Sequence, residues 1–454
     1  MSVLHRKLSL LAAATLVAST VLTTSATLAA DLPPPATQQD LSAKLEALEA
    51  EIDQIKAQQA AQAAVQQETR TTQDLLNDAN RHSQFLDAQG VLAGWTGGRF
   101  VLQSEDGQYL AHPWLQVQFR NVTSYRQDVK QKGTADDIQN GFEIRRLKFG
   151  VDGNLFGRQL TYFTQFAVDR KSGNVQLEQV YVKYQIDDSP FALRGGQFKD
   201  PLDHEQLTAS KVFPAIDRTL TDDQFANAEG FVKGVSFIFD PGEAIRAEVA
   251  LHDGLRNFNT NFQDYPTTGI VANWGAAGRV EYKAFGAWKD YEQISGYGVK
   301  QSTLVFGAAA DYTEAGHTAA LVHVVDGQFQ TRGGLSLYGA YLGRYTQHNT
   351  AAKIDTYDSS VRGQVAWAID KHWEPYGRYE YIHFNGHEFA SGTETNVHVI
   401  TTGVNYYLYG QSFKVSADLS FLPNGSPVSD DGLGILADNG HCEVVGRVQF
   451  QLLL

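Results

Sequence analysis

The sequence predicts an all-β chain: a sixteen-stranded antiparallel transmembrane β-barrel preceded by a short N-terminal coiled-coil helix. Three observations predict it. Alternating apolar and polar residues run from about Tyr109 to the C-terminus, a heptad-spaced helical stretch precedes them, and an apolar leader opens the chain. Past the leader no stretch of about 20 predominantly apolar residues occurs, so no spanning helix is expected. A barrel strand hides from such a scan because only every second residue faces lipid.

Residues 1–30 read as a secretory signal peptide: Arg6 and Lys7 form a basic start, Leu8 to Val21 an apolar run, and Ala29 and Ala30 a small-residue end. The mature chain is then expected to begin near Asp31. Residues 31–95 read as a spacer and stem. Pro33, Pro34 and Pro35 stiffen its start, and Leu41, Leu45, Leu48, Ile52 and Ile55 follow at spacings of four, three, four and three. Gln59 and Gln62 occupy the next seam positions, so the apolar seam covers only about two heptads and needs an assembled oligomer to support it.

Residues 96–454 read as the barrel. The last run is the clearest: Val444, Gly446, Val448, Phe450, Leu452 and Leu454 share one face, and Val445, Arg447, Gln449 and Gln451 the other. Sixteen such runs are predicted near 109–124, 141–152, 159–169, 175–186, 191–198, 231–240, 244–253, 277–286, 303–313, 317–326, 333–346, 358–370, 374–384, 395–408, 411–422 and 443–454. Long links such as 199–230, 254–276 and 423–442 alternate with short turns such as Asp187–Pro190. Two links break the rule: 287–302 is long for a short-turn side, and 314–316 is short for a loop side. An even strand number puts both ends of the wall on the periplasmic side of a bacterial outer membrane.

The composition agrees, with 41 Gly, 20 Tyr and 25 Phe against a single Cys, Cys442, which leaves ladder closure rather than disulfides to hold the fold. The formal charge of −14 excludes nucleic acid as a natural partner. Enzymatic chemistry is not expected. His204-Glu205 and His252-Asp253 are sequence neighbours that point to opposite faces of a strand, no Gly-x-Ser-x-Gly elbow occurs, and neither metal-ligand spacing nor a cofactor motif is present.

The stretch Phe142-Glu-Ile-Arg-Arg-Leu-Lys-Phe-Gly-Val-Asp-Gly-Asn-Leu-Phe-Gly157 resembles the early strand pair of the phosphate-selective porin family. Val180-Tyr-Val-Lys-Tyr184, Leu193-Arg-Gly-Gly-Gln-Phe-Lys-Asp-Pro-Leu202 and His204-Glu-Gln-Leu-Thr-Ala-Ser-Lys211 look like that family's Gly-Gln-Phe-Lys-x-Pro segment and the loop after it. The resemblance implies a trimeric sixteen-stranded barrel whose loop after strand five folds inward. The link 199–230 holds that place, and Lys199, Lys211, Arg218 and Asp217 are its candidate constriction residues.

With each oily face set outward, the opposite face supplies Arg120, Arg146, Lys148, Lys183, Arg194, Arg246, Arg279, Lys283, Arg344, Arg362, Arg378, Lys414 and Arg447. Arg145 joins Arg146 and Lys148 as a crowded basic group. The acids on that phase are Asp152, Asp169, Glu248, Glu281, Asp311, Asp370, Glu380 and Asp418, so the lumen is expected to be locally cationic and to favour anions such as phosphate. Cross-strand pairing of these bases with acids is the plainer alternative. The loop carries both signs, which suits small polar solutes generally. Trp114, Trp274, Trp288, Trp367, Trp373, Tyr406, Tyr407 and Tyr409 are expected in interfacial girdles, with a sugar-stacking track inside the pore as the alternative. The function expected is passive diffusion of small hydrophilic solutes, probed against a general or sugar-permeable porin that tethers the envelope. The partners are outer-membrane lipid, two further copies of the chain, and the cell wall through the periplasmic stem.

Overall fold

The computed structural model describes residues 90–96, 99–127, 136–226, 230–254, 274–315, 317–348 and 354–454. The expected leader and the heptad seam of the stem lie outside the described residues, whereas the end of the segment assigned to the stem is a strand, Val91–Thr96.

The wall is built from β3 (Leu110–Arg126), β4 (Ile138–Leu155), β5 (Leu160–Val168), β6 (Val175–Gln185), β7 (Phe191–Lys199), β8 (Phe231–Phe239), β9 (Ile245–His252) and β10 (Trp274–Phe285). It continues through β11 (Thr303–Ala315), β12 (Thr318–Gln330), β13 (Leu335–His348), β14 (Thr356–Trp367), β15 (Trp373–His383), β16 (Asn396–Tyr407) and β17 (Phe413–Leu422), and ends with β20 (Glu443–Leu453). Each pairs antiparallel with its neighbour, and β20 returns to β3 from Glu443↔Arg126 to Leu453↔Gln116, closing a sixteen-stranded barrel. All sixteen segments expected from period-two alternation are strands of this wall. Closure leaves no sheet edge with unpaired N–H and C=O groups, which a hydrocarbon environment requires.

The packing is inside out. On β20, Val448 and Phe450 are 54% and 40% exposed, whereas Arg447 and Gln449 between them are 2% and 3% exposed. Lipid is the solvent such a surface matches, and the polar groups turn to one another inside. Gln118 on β3 donates to Gln451 Oε1 on β20 at 2.7 Å across the closing seam.

A hairpin absent from the sequence reading, β1 (Val91–Thr96) with β2 (Arg99–Ser104), is annealed to the start of β3 through Leu102↔Ala111 and Gln103↔Leu110. Its strands have six residues each, too short to show the alternation that betrays the wall. A two-stranded ribbon, β18 (Gly425–Ser426) with β19 (Asp438–Asn439), lies in the last long loop.

Among the described residues, three connections enter the barrel. Loop 200–230 carries α1 (His204–Leu207), a 3-10 turn (Ser210–Val212) and α2 (Leu220–Phe225), and its Leu202, Phe213, Leu220 and Phe225 are buried in one apolar cluster. The link 286–302, too long for a turn, carries α3 (Trp288–Tyr291) and sends Ile294 into the same cluster. Its backbone is held by the wall: Gln328 and Gln330 both donate to Gln293 O at 2.8 Å, and Ser336 donates to Ile294 O at 2.9 Å. The loop between β17 and β20 contributes Leu433 and Ile435. The connection between β11 and β12 is short because β11 runs to Ala315, further than expected, and β12 begins at Thr318.

Candidate functional site

The basic group on β4 owes its geometry to a bulge. Gln118 pairs with Arg146 but Phe119 pairs with Ile144, so Arg145 is an extra residue in β4. Strict alternation would send adjacent arginines to opposite faces. The bulge turns both inward, where they meet Asp217 from loop 200–230. Arg145 Nε lies 2.6 Å and Arg120 Nη1 3.1 Å from Asp217 Oδ2, and Arg146 binds Oδ1. Burial favours the neutral acid, but Arg145, Arg146 and Arg120 outweigh it and hold Asp217 well below the usual carboxylate range. One carboxylate therefore faces three guanidinium groups. Glu143 adds a second acid on Arg120, 2.6 Å from Nε.

A second bulge, where Gln165 pairs with Gln179 and Phe166 with Leu177, leaves Glu178 extra in β6. Glu178 and Gln179 are both buried, and Lys148 Nζ lies 2.7 Å from Glu178 Oε2.

The other predicted bases fall into two sets. Those on the far wall hold the inward segments. Arg362 binds Asp203 and lies 2.8 Å from Glu205, Arg378 donates to Asp217 O at 2.8 Å, and Lys414 donates to Phe213 O at 2.7 Å. Arg279 donates to Leu202 O at 2.9 Å and binds Asp326 at 2.8 Å, while Arg447 binds Asp418 at 2.8 Å. Arg344 binds Asp358 at 2.7 Å, and Arg246 pairs with Glu281 and sits 4.3 Å from the Trp288 ring centre. Lys283 lies 5.0 Å from that ring. The Lys183 ammonium has no ion-pair partner among the described residues.

Alternation missed several acids that face these bases: Glu178, Asp326, Asp358, Glu374 and Glu443 are all buried. It also placed two wrongly. Asp169 and Asp370 are turn caps, accepting from Ser172 N at 2.6 Å and His372 N at 2.7 Å, not members of the wall face. The wall alone is therefore less cationic than the sequence tally.

The cationic character is concentrated in one place. Beside β3–β7 lies a cavity of about 650 Å³ whose lining carries Arg99, Lys148, Arg194, Lys199, Lys211 and Arg218, with Asp152 as the one acid among them. Lys148 and Arg218 also line a cavity of about 100 Å³ with Arg145, Arg146 and Arg170, and with the acids Asp169, Glu178 and Asp223. Arg170 in turn lines, with Lys171, a cavity of about 370 Å³ at the long-loop end, where Glu143 and Asp431 balance the two bases. Shared bases thus connect three cavities from the long-loop end to the short-turn end, along one side of the lumen. Arg99, Arg170 and Lys171 were not predicted. Arg99 sits on the overlooked hairpin, and the other two lie in a turn, where alternation gives no facing.

Loop 200–230 supplies both signs, as expected. Lys199 donates to Leu207 O at 2.9 Å and Arg218 to Thr208 O at 3.1 Å, so the loop's own carbonyls orient them into the cavity. Burial, and then Arg99, pulls the Lys211 ammonium below its usual range. Burial pushes Asp222 and Asp223 well up, each beside a second acid, Asp203 and Asp430 respectively. His204 is pushed down to about 4 by burial and stacks on Tyr291 at 3.9 Å.

On the other side of the Arg194–Glu248 pair lies a cavity of about 230 Å³ with Arg246 and Arg279 facing Asp240, Glu248, Glu281 and Glu292. Asp200, His252 and Asp311 also come together, their ligand-type atoms within 4.8 Å of one another. His252 Nδ1 accepts from Gly254 N at 3.0 Å, which leaves the ring proton on Nε2, 2.7 Å from Asp311 Oδ2. The three groups form a buried polar cluster, with Nε2 4.0 Å from Asp200 Oδ1 and no hydrogen bond from it to either carboxylate.

Three girdle assignments need correction. Trp114 lines the basic cavity, Trp288 lies on the inward link, and Tyr407 is fully buried against Glu374. Trp274, Trp367, Trp373 and Tyr409 are exposed on the outer surface.

The model of the phosphate-selective porin O and P family matches residues 115–421. Among solved structures, the anion-selective porin from Comamonas acidovorans superposes with a TM-score of 0.54 at 13% identity, covering 76% of this chain and 99% of that one. Pseudomonas putida OprB superposes with a TM-score of 0.50 at 12% identity, covering 75% of this chain and 94% of that one. A search of curated proteins returns no match.

Proposed function

Since the chain belongs to the phosphate-selective porin O and P family, we propose that it is a passive outer-membrane pore that admits small hydrophilic solutes and prefers anions, phosphate among them. The observation that carries the preference is the 650 Å³ cavity, whose lining holds six bases and one acid and keeps a surplus of bases after Lys148 and Arg194 pair with Glu178 and Glu248. An anion entering it regains, from groups ionised at neutral pH, part of the hydration it sheds. Lys148 and Arg218, shared by the 650 and 100 Å³ cavities, offer successive weak sites along the path, and release from each is as necessary as capture. The ion-paired bases of the far wall act differently. They fix loop 200–230 against the opposite side and so keep the path beside β3–β7.

The pore is passive, with no catalytic step, and assembles as a homotrimer. The heptad segment from Leu41 to Ile55 serves as a periplasmic stem that registers three chains and reaches toward the cell wall.

A second reading, a general porin, is favoured by the smaller cavity in which Arg246 and Arg279 face Glu248 and Glu281. Opposed charges across a constriction orient dipolar solutes of any kind. Phosphate titration of the chloride current in planar bilayers separates the two. We predict that phosphate blocks the wild-type current and that Lys148→Gln, Lys199→Gln and Lys211→Gln together raise its half-blocking concentration roughly tenfold, as loss of charge-assisted contacts implies. Equal block of wild type and triple variant would support the general porin instead.

A further inference from the structure

The basic cavity has an aromatic wall that conduction of small hydrated anions does not require. Trp114, Phe163 and Tyr181, from β3, β5 and β6, line it side by side. The Trp114 and Phe163 ring centres are 6.2 Å apart at 27°, and those of Phe163 and Tyr181 5.5 Å apart at 16°, so the three rings form one stacked strip. These residues share the inward phase with Lys148 and Arg146, not the lipid-facing phase of the girdles. Lys211 Nζ stands 5.6 Å from the centre of the Trp114 ring, and the Arg194 guanidinium 5.4 Å from that of Tyr181.

Glycines opposite make room for the strip. Trp114 pairs with Gly150, where a Cβ would lie 2.7 Å from the indole, and Tyr181 pairs with Gly196. Apolar ring area left facing a water-filled cavity is a standing cost, recovered when a flat apolar group covers it.

We propose that this cavity is a binding site for planar aromatic carboxylates, the ring lying against Trp114, Phe163 and Tyr181 and the carboxylate meeting Lys211, Lys199 and Arg218. The inference rests on the anion-conducting reading and names the solute class for the same site. A carboxylate without a ring gains only the electrostatic half of the contact, so selectivity is for ring and charge together. The span from the strip to the ammonium of Lys211 is short enough for one small molecule to touch both.

The test compares benzoate with acetate as blockers of chloride current through the purified full chain in planar bilayers at neutral pH, where both are fully ionised. The expected result is a half-blocking concentration roughly tenfold lower for benzoate, from ring stacking. Phe163→Leu, which keeps an apolar side chain but removes the central ring, is expected to bring the two blockers to near equality. Equal block of the wild-type pore by benzoate and acetate overturns the proposal, whatever the variant does. A benzoate advantage that survives both Phe163→Leu and Trp114→Leu also overturns it, because the rings would then not be its source. A pore that shows no anion preference in a plain KCl gradient refutes the underlying reading, whereas an anion-preferring pore indifferent to the ring refutes only this site.

Discussion

Asp217 shows how much one residue of this lumen governs. It receives Arg120, Arg145 and Arg146 together, sharing Arg120 with Glu143, and it reaches them from the loop, not from a neighbouring strand. Asp217→Asn leaves three guanidinium groups short of a counter-charge, so the chloride-to-potassium permeability ratio is expected to rise several-fold, read as a reversal potential. The loop's titrating groups set a pH dependence with a definite sign. Lys211, with its pKa depressed, loses its charge earlier than a free lysine as pH rises. Asp222 and Asp223, with raised pKa values, are neutral in the ordinary carboxylate range and gain charge above it. All three changes add negative charge on alkalinisation, so anion preference is expected to fall from mildly acidic to alkaline pH. Reversal potentials across that range check it, and Asp223→Asn should make the fall shallower. The crowding of Arg145, Arg146 and Lys148 was legible in the sequence, but its partner was not. A contact between residues more than 70 positions apart has no local pattern, and the bulge that turns Arg145 inward breaks the alternation used to assign faces.

At the scale of the element, the strands were the legible part. Each wall strand sees lipid on one side and the polar lumen on the other, so its alternation is imposed along its whole length. The inward connections were legible only as lengths. The loop 200–230 was expected to fold in because of its place and family likeness. The link 286–302 was noticed only as too long, since its entry depends on Tyr291 meeting Arg279 and Ser295 meeting Glu374. The loop itself is pinned by Arg362, which is 2% exposed and bonded to Asp203, Thr219 and Tyr338. Arg362→Ala removes one partner of this buried network and is expected to cost about 3–5 kcal/mol in urea unfolding. With its anchor gone the loop should also leave the constriction, raising single-channel conductance. A variant with unchanged conductance would show that the apolar cluster around Leu220 and Phe225 holds the loop without it.

The whole molecule joins a net acidic chain to a cationic path, and the two are reconciled by position. Much of the lumen's charge cancels across the far wall and within the loop, and a surplus of bases survives beside β3–β7. Composition could not reveal this, because net charge does not say which charges share a cavity. Facing alone overstated the excess, because acids such as Asp326 and Asp358 sit among the bases they neutralise. Closure of β20 on β3 makes that arrangement permanent, since the wall has no free edge at which to open. The measurement that tests the central claim most directly is the reversal potential of the purified protein in a planar bilayer under a KCl gradient at neutral pH. A potential of the sign carried by chloride is the result predicted by the surplus of bases in the cavity around Asp152. A potential of the sign carried by potassium would contradict it.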